Sequence, residues 1–382
     1  MDSYFTYEKP VSGKAFVGRK MECQAVCNLL MSGQHIVLYE PPKSGKSSLL
    51  HQSLLSLQLN AKPFNVCRVN AMGSMNMQHF LTRFGNCVIR SCVSTPDEYA
   101  RTVQELLPGT HFVFDRQRFA DADEVVSSNW DLDANDALEM FRLPARLAAR
   151  DSLRLAVIVD EFQNIEAMDD GAVLLRSLKK VLQEESCGSS WTSSFIFCGS
   201  RYNAMKEIFG RGPMFHGLVS HVSLSRIEDM EISEYIRKGV NISGKVIEKD
   251  ALLSIIKHFD SNMWYINHFM SICDARTKGY FNDSVFSTGL ECLLAIHEPR
   301  YMGIMANLTG HQVSLLKAII DGVTRFTASD VIRSYSLNSS ANVSRVKDAL
   351  MKKEIISFTD KDEPVILDIL FRYWLENRYF VK

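Results

Sequence analysis

His35-Ile36-Val37-Leu38-Tyr39-Glu40-Pro41-Pro42-Lys43-Ser44-Gly45-Lys46-Ser47-Ser48-Leu49-Leu50 is the stretch whose reading decides the fold. An apolar run of strand length, His35 to Tyr39, enters a polar loop carrying Gly-Lys-Ser, and a helix-length segment follows. Strand, loop and helix in that order form the setting a phosphate-binding loop requires. Gly45 lets the backbone approach a phosphate, and the free N–H groups of the helix start point at it. Lys46 is placed to reach the β- and γ-phosphates, and the Ser47 hydroxyl to hold magnesium. The full pattern asks for glycine where Glu40 stands, and Pro41 and Pro42 have no N–H to donate. The expected nucleotide contacts are Pro42, Lys43, Ser44, Gly45, Lys46, Ser47 and Ser48, with the donors concentrated from Ser44 onward. An ordinary strand-loop-helix turn containing a lysine is the alternative.

Further apolar runs extend the pattern. Phe64 to Val69, Leu155 to Asp160 and Phe195 to Cys198 read as buried strands, alternating with helical stretches at Gly45 to Leu59, Met75 to Ser91, Asn135 to Arg150 and Val173 to Glu185. This alternation predicts an α/β fold, a P-loop NTPase parallel sheet with helices on both faces. The second run ends in Asp160-Glu161, the layout that puts one carboxylate on magnesium and another beside an attacking water. Asp160 is the expected metal-side acid and Glu161 the general base. The third ends in Gly199-Ser200-Arg201, where Ser200 can sense the γ-phosphate or merely complete a turn.

After about Arg226 the strands stop. Helical patterns at Glu231 to Val240, Asp250 to His258, Asn262 to Thr277 and Ser284 to Ala295 predict a helical second domain. From Asn307 the order becomes helices at Gly310 to Asp321, Ala328 to Tyr335 and Ser340 to Lys353, a strand at Ile355 to Thr359, a charged turn, and a strand at Val365 to Leu367. That is the outline of a winged helix. The expected parts are an ATPase domain over 1–226, a helical lid over 227–306 and a winged helix over 307–382.

The 382 residues hold 43 Lys+Arg against 44 Asp+Glu, so no strong field would pull the whole molecule onto a polyanion. No apolar run approaches the ~20 residues of a membrane span, and the first residues lack a secretory layout. A cytoplasmic protein without a membrane partner is expected. The 9 cysteines form no C-x-x-C pair and read as reduced, buried thiols.

At these residues the chain resembles the archaeal-type ATPases of the AAA-like, signal-transducing (STAND) branch of P-loop proteins, and more distantly the origin-recognition initiators. The resemblance is carried by Phe16-Val17-Gly18-Arg19 with Glu22, by Gly45-Lys46-Ser47-Ser48-Leu49, and by Asp160-Glu161-Phe162-Gln163. It continues through Gly199-Ser200, Gly212-Pro213-Met214-Phe215-His216, and the closing Asp368, Phe371 and Trp374. It implies ATP or ADP as ligand with Mg2+, Gly18-Arg19 near the adenine, and Trp264-Tyr265 in the lid over the nucleotide. Two departures stand out: His216-Gly217 replaces a usual glycine-arginine pair, and Asn262-Met263-Trp264 replaces a glycine-x-proline. No arginine for the γ-phosphate is assigned by motif; Arg201, Arg211 and Arg226 are nearby candidates. Such an arginine is worth ~10³-fold or more in turnover, so a slow ATPase or a nucleotide switch is expected.

In the winged-helix segment, Arg345, Lys347, Lys352 and Lys353 follow a polar start suited to a recognition helix. The wing, Asp360-Lys361-Asp362-Glu363, is acidic and would repel a phosphate backbone. This balance favours a protein contact, self-association or internal packing over DNA.

Overall fold

His35–Leu38 (β1) is buried at every position, as an apolar run covered on two sides must be. In the computed structural model, which describes residues 3–60, 64–119, 126–186, 192–211 and 214–381, the chain divides into two units. One comprises Lys20–Glu40 and Leu49–Ser223; the other gathers Met1–Arg19, Pro41–Ser48 and Leu224–Lys382.

The first unit is built on the sheet. Its strands are β1, β2 (Phe64–Asn70), the hairpin pair β3 (Phe112–Phe114) and β4 (Val126–Ser128), β5 (Arg154–Asp160), β6 (Ser193–Cys198) and β7 (Val219–His221). The main sheet runs β2-β5-β6-β1-β7 and is parallel throughout. Five successive positions of β5, Leu155 to Val159, are buried, so both faces are covered. The helices are α1 (Lys20–Met31), α2 (Lys46–Asn60), α3 (Met77–Arg90), α4 (Pro96–Leu106), α5 (Ala134–Arg150), α6 (Gln163–Glu166), α7 (Gly171–Ser186) and α8 (Tyr202–Met205). Phe84, Phe141 and Phe195 pack between α3, α5 and the sheet, with ring centroids 5.4 Å and 6.3 Å apart. The four strands read from sequence are present. The hairpin, α4 and the short edge strand β7 are additions.

The second unit begins with an N-terminal strap and the Pro41–Ser48 loop, then continues through α9 (Asp229–Ile242), β8 (Val246–Ile247), α10 (Lys249–His258), α11 (Met263–Arg276), β9 (Tyr280–Phe281) and α12 (Asp283–Ala306). Strands do not stop at Arg226, because β8 and β9 pair in parallel through Val246↔Tyr280 and Ile247↔Phe281. Two-residue strands leave no periodicity in a sequence. The winged helix follows as α13 (Gly310–Ile320), α14 (Ser329–Ser334), α15 (Ser340–Lys352) and the antiparallel ribbon β10 (Ile356–Phe358) and β11 (Pro364–Ile366). It closes with α16 (Ile369–Trp374). One continuous core runs from Phe5 and Ile232 through Phe269 and Leu293 to Leu350 and Trp374. No helix among the described residues is long and apolar enough to cross a membrane, and the Cys67 and Cys273 thiols are buried.

Candidate functional site

The Gly-Lys-Ser loop leaves the end of β1 and enters α2 at Lys46. Its backbone is left-handed at Lys43 (φ 65°) and at Gly45 (φ 96°). Glycine takes such angles freely, whereas lysine gives up about 1–2 kcal/mol to do so. Alternation of this kind turns successive N–H groups toward one point, an anion-binding concavity. Lys46 Nζ donates to the Pro41 carbonyl at 3.1 Å, inside the loop. The Ser44 hydroxyl is buried without a hydrogen-bond partner among the described residues, and Ser47 is exposed at the helix start. A phosphate fits this arrangement. Ser48 is used differently, since its hydroxyl accepts from the Val11 N–H at 3.2 Å.

The loop borders a cavity of about 320 Å³ whose other walls are the strap from Thr6 to Arg19 and the start of α11. Arg19, Lys43 to Ser48 and Trp264 all face it. Arg19 lies against Gly45, where an added β-carbon would stand 3.6 Å from Nη1. Gly18 is not in the wall; it packs on Ile227 and Glu231, and a β-carbon there would come within 2.7 Å of Ile227. The strap is tied to α11 by the Asn267 amide donating to the Thr6 carbonyl at 3.0 Å and by Tyr7 stacked on His268 at 4.1 Å. Asn262 explains one departure from the expected lid motif, because its side chain caps α11 by accepting from the N–H groups of Trp264 and Tyr265.

Lys43 does not project into water. Its ammonium lies 4.0 Å above the Trp264 ring, donates to the Tyr265 hydroxyl at 3.0 Å and stands 3.9 Å from Asp368. Burial pulls its pKa down to about 8, with Asp368 opposing and Arg300 adding to the shift. The Tyr265 hydroxyl donates to Asp368. Burial, then the Asp368 charge, push that phenol upward, so it remains a donor. Asp368 was placed only in a closing motif by sequence, and its reach to the loop was not foreseen.

In the sheet unit the parallel strands β1, β5 and β6 end on one edge, the edge at which open α/β sheets bind ligands. Asp160 ends β5, and its carboxylate is 3.4 Å from Arg68. Burial pushes it above the usual carboxylate range, with Arg68 opposing and the Glu161 charge adding. Glu161 follows in a left-handed conformation, φ 54°. One of its oxygens accepts from Ser200 at 2.7 Å and from Gln163 at 2.6 Å. Ser200 therefore bonds to the expected base. Arg68 and Gln163 are contacts that sequence reasoning missed, although Gln163 stood in the quoted Asp-Glu-Phe-Gln string.

Of the arginine candidates, Arg226 is engaged by Asp229 at 3.0 Å and Asp260 at 3.3 Å. Arg201 is exposed beside Ser200. The side chain of Arg211, and Gly212 and Pro213 of the expected motif, lie outside the described residues. Lys347 of the recognition-type helix lies 3.9 Å above the Phe358 ring and 3.6 Å from Asp362 of the wing. One other group of potential metal ligands occurs among the described residues, His111, Asp133 and Asp136. Asp133 and Asp136 form the capping box of α5, and Asp136 also binds His111 at 2.8 Å, which accounts for them structurally.

Comparison with known proteins adds the fold. Residues 299–377 match the family described as a probable winged helix domain. A Walker-type ATPase of Pyrococcus abyssi superposes with a TM-score of 0.67 at 15% identity, covering 97% of this chain and 99% of that one. The chain shares the fold of a P-loop ATPase with a C-terminal winged helix. The ORC2 protein of Aeropyrum pernix, solved in ADPNP-ADP complexes, follows with a TM-score of 0.57 at 14% identity over 96% of this chain and 93% of its own. No curated protein matches by sequence. In chain order the Gly-Lys-Ser loop follows β1, and Asp160 and Glu161 stand at the end of β5.

Proposed function

We propose that the chain binds ATP and ADP at the Pro41–Ser48 loop, hydrolyses ATP slowly with magnesium, and moves its winged helix with nucleotide state. The observation that carries this reading is the loop itself: left-handed turns at Lys43 and Gly45, an unpartnered Ser44 hydroxyl, and a cavity walled by strap and lid helix. In this reading 1–226 acts as the ATPase domain, 227–306 as the lid and 307–382 as the winged helix. Buried thiols at Cys67 and Cys273 fit a reducing compartment, the cytosol.

Ser44, Gly45 and the helix start donate N–H groups to phosphate oxygens, while Lys46 exchanges the Pro41 carbonyl for the γ-phosphate. Arg19 and Trp264, which line the cavity, would border the adenine. Ser47 and Asp160 would hold magnesium, which when bound supplies positive charge to the β- and γ-phosphate oxygens. Glu161 orients water and takes its proton, with Ser200 and Gln163 fixing the carboxylate. DNA remains a weaker expectation than a protein partner or self-association, since Lys347 is already engaged by the wing.

The test is nucleotide binding and phosphate release measured together. Lys46→Ala should abolish ADP and ATP binding. Glu161→Gln should keep nucleotide affinity within about twofold and lower phosphate release by about 10²-fold or more, the worth of a positioned general base. The second reading, a nucleotide-bound regulator that does not hydrolyse, is favoured by the engagement of Arg226 with Asp229 and Asp260. Wild-type protein that binds ATP and releases no phosphate would establish that second reading.

A further inference from the structure

We propose that Asp368 and Tyr265 are positioning residues for the phosphate-binding loop, holding Lys43 in the backbone conformation that aims the loop's donors. The proposal rests on the nucleotide reading above. Within Pro41–Ser48, Lys43 is the non-glycine residue with positive φ. That region costs a lysine energy, so the conformation persists only where its surroundings hold it. The anchor is present: Tyr265 accepts from the ammonium at 3.0 Å, Trp264 lies beneath it at 4.0 Å, and Tyr265 in turn donates to Asp368.

Asp368 is itself fixed. It caps α16 by accepting from the N–H groups of Leu370 and Phe371 at 3.1 Å, and Arg300 stands 3.4 Å from its other oxygen. The chain of contacts therefore runs from the start of the C-terminal helix, through the lid helix, into the loop. This loop has unusual need of such support. Glu40 stands where glycine would serve, and Pro41 and Pro42 donate no N–H, so every donor follows the turn at Lys43. Binding is reciprocal: a contact that tightens the loop around phosphate is itself tightened when phosphate binds.

Asp368→Asn isolates the charge, since an asparagine oxygen still caps α16. In the full chain it should weaken ADP binding about tenfold, on the scale of one charge-assisted hydrogen bond. It should also speed amide exchange across 43–48 in nucleotide-free protein. Tyr265→Phe, which keeps the ring and removes the hydroxyl link, should do the same. Lys43→Gly supplies the decisive background, because glycine takes the left-handed turn unaided. In that background Asp368→Asn should change neither affinity nor exchange. Equal effects of Asp368→Asn in both backgrounds, or unaltered loop exchange in the single variant, would overturn the proposal. If the wild type binds no ADP, the nucleotide reading fails on its own, and the exchange comparison still decides the role of Asp368.

Discussion

Gly199 has no room for a β-carbon: one built there would stand 2.4 Å from Gln163 Oε1 and 2.5 Å from Met205 Cγ. The crowding matters because the same Gln163 amide holds Glu161 at 2.6 Å. Gly199→Ala should therefore displace Gln163, loosen Glu161 and slow phosphate release by about tenfold or more, part of what a positioned base contributes. Nucleotide affinity should change by less than about twofold, since the proposed phosphate donors belong to another segment. Paired kcat and Kd measurements check this; a loss of affinity with unaltered kcat would contradict it. Residue types at the ends of β5 and β6 were legible because Asp-Glu and Gly-Ser follow apolar runs. Gln163 was not, because a glutamine two residues after the proposed base meets it only through the left-handed turn at Glu161.

Elements came through sequence reading where they were long and periodic. The strands β1, β2, β5 and β6 and the helices α2, α3, α5 and α7 lie within a few residues of expectation. Short pieces did not, as β8 and β9 illustrate. The helix expected to end at Ala295 continues to Ala306 through Pro299, since burial of Tyr301 and Met305 in the core of the second unit offsets the lost N–H bond. Where α7 ends, Glu185 meets the start of β1: its carboxylate lies 3.3 Å from His35 Nε2. Burial raises Glu185 to about 7, with Ser193 opposing and Glu184 adding, and burial lowers His35 to about 4. A raised carboxyl pKa in the folded state means its stabilising contribution is full below the usual 4.5 and is lost as pH rises toward about 7. Glu185→Gln removes that loss. The variant should gain on the wild type between pH 5 and pH 8 by about 1–3 kcal/mol, seen as a melting-temperature difference that widens with pH. A pH-independent difference would contradict this assignment.

At the scale of the molecule, near-neutral charge already argued against broad polyanion binding, and the winged helix sharpens the point. Lys347 is engaged by Phe358 and Asp362, leaving Arg345 and Lys352 exposed on that helix beside an acidic wing. Random duplex DNA should bind weakly at low salt, with log affinity falling against log salt at a slope no steeper than about −2, and Lys347→Ala should leave it unaltered. A steeper slope that Lys347→Ala reduces would show the helix free to meet phosphates. By itself the sequence determined the parallel α/β core, the Gly-Lys-Ser loop, the acids after β5 and the winged helix, because each is written in local order and periodicity. Only the tertiary structure decided that Thr6 and Tyr7 meet Asn267 and His268, and that Asp368 and Tyr265 reach Lys43. Those partners lie hundreds of residues apart. No local pattern encodes such pairs, and it is the packing of α9 to α12 and the winged helix around one core that brings them together.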